Sequence, residues 1–184
     1  MTPDDLARPS RRHLLQAGIG LGALLLLAPA MALARRPGER RLSFHHLHTG
    51  ESSTVTYWAD GTYVDEELRA VNHLLRDFRT GEVHAIDPGL LDLLYLTRRR
   101  IGSDRPFQII SGYRSPQTNR MLRRHSSGVA KHSLHMEGMA IDIHLPGTRL
   151  ADLRKAAMSL KGGGVGYYPA SSFVHVDTGR VRYW

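Results

Sequence analysis

Hydrophobic and polar positions fall into blocks whose period changes along the chain. The first block, Ala17 to Ala34, is an apolar run rich in leucine and alanine and broken by Gly18, Gly20, Gly22 and Pro29. It falls short of the roughly 20 clean residues that a spanning helix needs. Paired Arg11 and Arg12 precede it and Ala32-Leu33-Ala34 closes it, so residues 1–34 read as a twin-arginine signal peptide with a small-x-small cleavage site. Residues 35–41 read as a flexible basic leader, and 42–184 as the working domain.

Within that domain Leu42 to Leu47 and Ser53 to Trp58 are β-prone runs, and Asp60-Gly61 is a turn before Thr62 to Val64, which predicts a small antiparallel unit. From Asp65 the apolar positions Leu68, Val71, Leu74, Leu75 and Phe78 take helical spacing. A second helix opens with Asp87 as cap and Pro88 at its first position, and it ends in Arg98-Arg99-Arg100 before Gly102. Those arginines are expected in solvent, where they suit the negative end of the helix dipole. Phe107 to Ile110 reads as a buried strand, and Ser115-Pro116 opens a third helix running to about Arg124. Ala140 to Leu145 alternates as a strand. Thr148 to Lys161 is a fourth helix closed by Gly162-Gly163-Gly164, and Phe173 to Val176 is the last strand. The expected fold is α+β, a small antiparallel sheet packed against helices.

Composition narrows the chemistry. The 184 residues, 41% hydrophobic and 23% charged, are those of one ordinary globular domain. Cysteine is absent, which excludes thiol nucleophiles, zinc fingers, iron–sulfur clusters and disulfides, so any metal must be held by His, Asp or Glu. The net charge of +8 suits a polyanion. An exported domain has little access to nucleic acid, which leaves anionic wall polymer or lipid.

Three residues carry candidate chemistry. Ile141, Ile143 and Leu145 point one way, so Asp142 points to the opposite face. Val174 and Val176 likewise turn inward and leave Phe173, His175 and Asp177 together on the other face. If the two strands are neighbours, Asp142 and His175 converge, and a bend at Gly138 can return His135 toward them. Two imidazoles and a carboxylate fit zinc with one tetrahedral position left for water. Alternation alone leaves surface histidines and a strand-end aspartate as the alternative. His45, His46 and His48 are expected at the surface.

Ser133-Leu134-His135-Met136-Glu137-Gly138-Met139-Ala140-Ile141-Asp142 resembles the S-x-H-x-x-G-x-A-x-D signature of the zinc D-Ala-D-Ala carboxypeptidases and endopeptidases of bacterial cell walls, and is similar to the zinc segment of hedgehog domains. Ser111-Gly112-Tyr113-Arg114-Ser115 resembles the segment preceding that signature. Leu47 to Glu51, Gly164 to Tyr168 and Phe173 to Asp177 are similar to the murein endopeptidase K branch. The resemblance implies a hedgehog/DD-peptidase-like fold, zinc held by His135, Asp142 and His175, and Arg114 as the arginine that binds a substrate carboxylate or steadies an oxyanion. Many relatives place a carboxylate base three residues before the last ligand, where this chain has Ser172, so Asp177 is expected either as the base or as a group orienting a ligand.

The resulting expectation is a periplasmic zinc metallopeptidase that hydrolyses peptidoglycan cross-links between D-alanine and diaminopimelate. The alternatives are a D,D-carboxypeptidase and a zinc-containing binding module without turnover. Its partners would be peptidoglycan stem peptides and the twin-arginine export machinery, with membrane contact only through the signal segment.

Overall fold

The computed structural model describes residues 38–126 and 128–184. The expected signal peptide, residues 1–34, and the first three residues of the leader lie outside them. Among the described residues there is one eight-stranded sheet and four α-helices. In chain order these are β1 (Arg40–His46), β2 (Ser52–Ala59), β3 (Thr62–Tyr63), α1 (Asp65–Leu74), α2 (Pro88–Ile101), β4 (Phe107–Ser111), α3 (Pro116–His125), β5 (Ala140–His144), α4 (Leu150–Ser159), β6 (Gly164–Tyr168), β7 (Phe173–Asp177) and β8 (Arg182–Tyr183). The strands lie in the order β3-β2-β1-β4-β5-β7-β6-β8.

The α+β class agrees with the expectation, but the sheet is larger and mixed. The opening antiparallel unit is joined to the later strands because β1 runs parallel to β4, with Phe44 beside Phe107. At the far edge β8 runs parallel to β6. Parallel neighbours need long crossovers, supplied for β1 and β4 by α1 and α2, and local alternation carries no mark of such a pairing. β1 begins at Arg40, so the last two residues of the expected flexible leader are strand.

Local signals set the helix ends. Asp87 accepts a hydrogen bond from the Gly89 amide and Pro88 follows, while Gly102 ends α2 in the left-handed region at φ 74°. Ser115 caps α3 through the Thr118 amide. Arg98 departs from the expected solvated helix end: it is buried and donates to the Arg41 carbonyl, so α2 is tied to β1. Leu90, Leu91 and Leu94 of α2 and Leu153 and Ala157 of α4 join Leu42, Phe44, Tyr57, Phe107, Ile109, Ile141, Ile143, Val174 and Val176 in one core. Both inward faces of β5 and β7 are thus committed to apolar packing, and by the two-residue period the polar set must face the other way.

Candidate metal centre

β5 and β7 are antiparallel neighbours in a register that sets Asp142 directly against His175. The third residue arrives from a 3₁₀ turn over Leu134–Glu137, which ends at Gly138 in the left-handed region (φ 68°). A Cβ on Gly138 would lie 2.0 Å from the Ala85 carbonyl oxygen, so only glycine permits this bend. The Arg114 amide donates to the His135 carbonyl (3.0 Å), which fixes the arginine loop and the histidine turn to each other. Asp77 steadies the same loop by accepting from the Ser115 and Arg79 amides, each at 2.9 Å.

The structure brings His135, Asp142 and His175 together, all buried, with potential ligand atoms within 4.8 Å of one another. His135 Nε2 lies 3.2 Å from His175 Nδ1 and 3.4 Å from Asp142 Oδ1, and His175 Nδ1 lies 2.9 Å from Asp142 Oδ1. These separations match the roughly 3.4 Å edge of a tetrahedron built on metal bonds of about 2.05 Å.

The outer hydrogen bonds test the fit more sharply. His135 Nδ1 faces the Gly112 carbonyl at 2.8 Å, which can only accept, so that nitrogen carries the proton. His175 Nε2 faces Asp177 Oδ2 at 3.0 Å, so its proton also points outward. With each ring in its neutral form, the three atoms turned inward, Nε2 of His135, Nδ1 of His175 and Oδ1 of Asp142, are then all acceptors with no hydrogen among them. That donor set calls for a cation.

Electrostatics favour positive charge at the same point. Burial raises the Asp142 carboxyl, but the neighbouring imidazoles of His135 and His175 outweigh it and hold the group well below the usual carboxylate range. Burial alone would lower His175, yet its hydrogen bonds to Asp142 and Asp177 leave it raised, so the proton favoured at Nδ1 is what a bound cation would displace.

Asp177, expected either as a base or as a group orienting a ligand, stands against the outer nitrogen of His175. Its side chain is fully buried, and its oxygens accept from His175 Nε2, the Gly164 and Gly179 amides and the Arg182 guanidinium. Burial pushes it up and these partners pull it down further, so it stays ionised and orients His175. Arg114 reaches the centre, with its guanidinium 3.9 Å from Asp142 Oδ2. Its Nε is buried without a hydrogen-bond partner. Ser172 holds a left-handed turn (φ 56°) at the mouth of β7.

A cleft of about 310 Å³ opens over the triad, lined among others by Arg114, His132, Tyr168, Phe173, Arg182 and Trp184. Arg182, Tyr168 and Trp184 were not foreseen as site residues, because β6 and β8, which carry or precede them, read in sequence as a glycine-rich helix end and a tail. The pairing of Arg182 and Trp184 at two-residue spacing was the available signal. A more open concavity of about 520 Å³, between the end of α2 and the start of α4, contains none of the triad. His46, expected at the surface, is instead fully buried against Phe78, with its Nδ1 turned to the backbone amides of His48 and Thr49.

Two imidazoles and a carboxylate converging beneath an open cleft, on a sheet backed by helices, define a metal-dependent hydrolase in outline. The family model described as peptidoglycan L,D-endopeptidase MepK, a branch of the M15 peptidases, matches residues 34–184, and the chain belongs to that family. It is therefore a metallopeptidase. Peptidoglycan L,D-endopeptidase MepK of Escherichia coli (strain K12) is 48% identical over 95% of this chain and 97% of that protein. Probable peptidoglycan L,D-endopeptidase MepK of Haemophilus influenzae is 41% identical over 95% of this chain and 94% of that protein. The solved L-Ala D-Glu endopeptidase ChiX of Serratia marcescens overlaps 41% of this chain and 62% of its own, at 24% identity and a TM-score of 0.34, too partial an overlap to inform the site.

Proposed function

We propose that the chain is a periplasmic, zinc-dependent murein endopeptidase that cuts peptide cross-links of peptidoglycan at a bond joining an L- to a D-configured centre. The observation that carries this reading is the convergence of His135 Nε2, Asp142 Oδ1 and His175 Nδ1, with the outer nitrogen of each ring hydrogen-bonded to Gly112 or Asp177. Relatives 48% and 41% identical bear the L,D-endopeptidase activity in their names. That name favours an L,D bond over the bond between D-alanine and diaminopimelate, which joins two D centres.

Zinc is the metal this donor set suits, two nitrogens and one oxygen without a thiolate. A zinc ion bound there supplies Lewis-acid chemistry, acidifying water and polarising a carbonyl oxygen. The chain's own residues do the rest. Asp177 holds the His175 ring in the tautomer that turns Nδ1 inward. The fork of Arg114, desolvated and short of a partner at Nε, is placed to take the oxygen of a substrate carbonyl or carboxylate. Arg11 and Arg12 would direct export of the folded domain through the twin-arginine machinery.

Digestion of defined cross-linked muropeptides by the zinc-loaded mature domain, with mass spectrometry of the newly exposed amine and carboxyl ends, tests the reaction. Release at an L,D bond is expected. Release of D-alanine from cross-linked or terminal positions would move the assignment to a D,D-peptidase, and no cleavage with zinc bound would overturn it. Fractionation of cells carrying Arg11→Lys with Arg12→Lys tests location, and loss of the protein from the periplasm is the expected result.

A further inference from the structure

One wall of the cleft is aromatic, and neither the metal centre nor the core accounts for it. Tyr168 and Phe173 are paired across β6 and β7 and stack at 4.6 Å between ring centroids. Trp184 is fixed beside them. Its backbone continues the β6 ladder, because the Tyr167 amide donates to its carbonyl at 3.0 Å. Its indole N–H donates to the Tyr168 hydroxyl at 2.8 Å, and the Arg182 guanidinium sits 4.9 Å from its ring. The ring lies over Gly166, where a Cβ would approach to 2.7 Å, and Gly166 is the ladder partner of His175. The indole centroid is thus 5.4 Å from the imidazole of His175.

This bracing packs a large apolar ring on several sides, while Trp184 as a residue stays 45% exposed and lines the cleft. Exposed apolar area costs about 25 cal/mol per Å², and a side chain locked on several sides has already lost its rotamer freedom, so covering the ring with a ligand gains area at little entropic cost. The occupant must match the rest of the lining. Arg114, with its Nε unpaired, supplies positive charge on the same cleft, while Arg182 is already paired with Asp177, and this lining selects a group with a carboxylate next to an aliphatic stretch.

Resting on the peptidoglycan reading, we propose that Trp184, braced by Tyr168, is the positioning residue against which the methylene arm of the diamino acid in a stem peptide packs. The arm's carboxylate meets the guanidinium side of the cleft, and the arrangement sets the stem's register over the triad. Trp184 acts through substrate placement and takes no proton.

The test compares wild type, Trp184→Ala and Trp184→Phe as zinc-loaded proteins, on cross-linked stems whose acceptor carries diaminopimelate and whose donor carries diaminopimelate or alanine at the third position. W184A should raise KM for the diaminopimelate stem about tenfold with kcat within about twofold. Its preference for diaminopimelate over alanine should shrink by about the same factor. Calorimetric binding of the tripeptide L-alanyl-D-glutamyl-diaminopimelate should weaken about tenfold, with metal content and thermal midpoint near wild type. W184F, which keeps an apolar face, should lose about two- to threefold, and it carries the test should W184A not fold. Unchanged KM and peptide affinity would overturn the inference, as would a loss confined to substrates bearing the disaccharide, which would make the wall a sugar platform. Loss of metal in both variants would reduce Trp184 to a support for His175. Wild-type protein that cleaves none of these peptides defeats the proposed function itself, whereas an active wild type matched by W184A defeats only this inference.

Discussion

His175 Nε2 and Asp177 Oδ2 stand 3.0 Å apart, two residues along one strand, with the carboxylate sealed from solvent and the imidazole's other nitrogen turned to the metal centre. A carboxylate so placed raises the basicity of the histidine and fixes its tautomer. It does not line the cleft. By these contacts the carboxylate supports His175 rather than the cleft, and its removal should show first in metal affinity.

Asp177→Asn should weaken zinc binding by about 10- to 100-fold, because the amide no longer presents a charged acceptor to Nε2 and leaves Arg182 without its partner. Competition with a chromogenic chelator checks this. At saturating zinc much of the turnover should return. A variant that keeps wild-type zinc affinity while losing turnover would restore Asp177 as the base.

Arg114→Lys separates charge from shape. Lysine keeps the positive charge near Asp142 but lacks the planar fork and its Nε–H. Zinc content should stay at the wild-type level, while kcat should fall by about 10²- to 10³-fold, the usual cost of removing an oxyanion donor. Steady-state kinetics on a cross-linked muropeptide, with metal analysis of the same sample, gives both numbers.

Much of the centre was legible because its parts follow from period and punctuation. Alternation put Asp142 and His175 off the core face, Asp87-Pro88 and Ser115-Pro116 marked helix starts, and Gly138 marked the bend. The unread parts depend on long-range pairing. That β1 lies beside β4 follows from packing between segments some 60 residues apart, and no local pattern encodes it. β6 was hidden because Gly164 belongs to the Gly162-Gly163-Gly164 run that reads as a helix stop, while Gly166 weakens the strand pattern that follows. In the fold they are bare because Asp177 and Trp184 occupy the space of their side chains. His46 was misjudged for a related reason: alternation placed it on a face, but only the arrival of Phe78 from beyond α1 covers that face.

Gly138→Ala should damage both fold and site. The position needs a left-handed backbone, and the added methyl meets the Ala85 carbonyl at 2.0 Å, so the turn bearing His135 must move. A loss of roughly 3 kcal/mol or more is expected, together with zinc binding. Gly128→Ala, where the nearest atom would be Ser126 Oγ at 3.6 Å, serves as control and should shift the urea midpoint little. Equal effects in the two variants would refute the close-approach account.

His46 gives the fold a pH dependence away from the metal. Burial first, and then the neighbouring His48, lower its pKa to about 4 from an ordinary 6.5. Its Nδ1 faces two backbone amides, so the folded state holds it neutral. The unfolded chain therefore binds the extra proton between about pH 6.5 and 4. The contribution is complete above pH 6.5 and declines as the pH falls through that window, by roughly 3 kcal/mol at its lower end. Asparagine can accept from the same amides without titrating, so His46→Asn should flatten this part of the stability curve whatever its effect at pH 8. Urea denaturation of both proteins from pH 8 to 4 measures the difference. Parallel curves would show that His46 is charged in the fold, and the buried neutral imidazole would have to be abandoned.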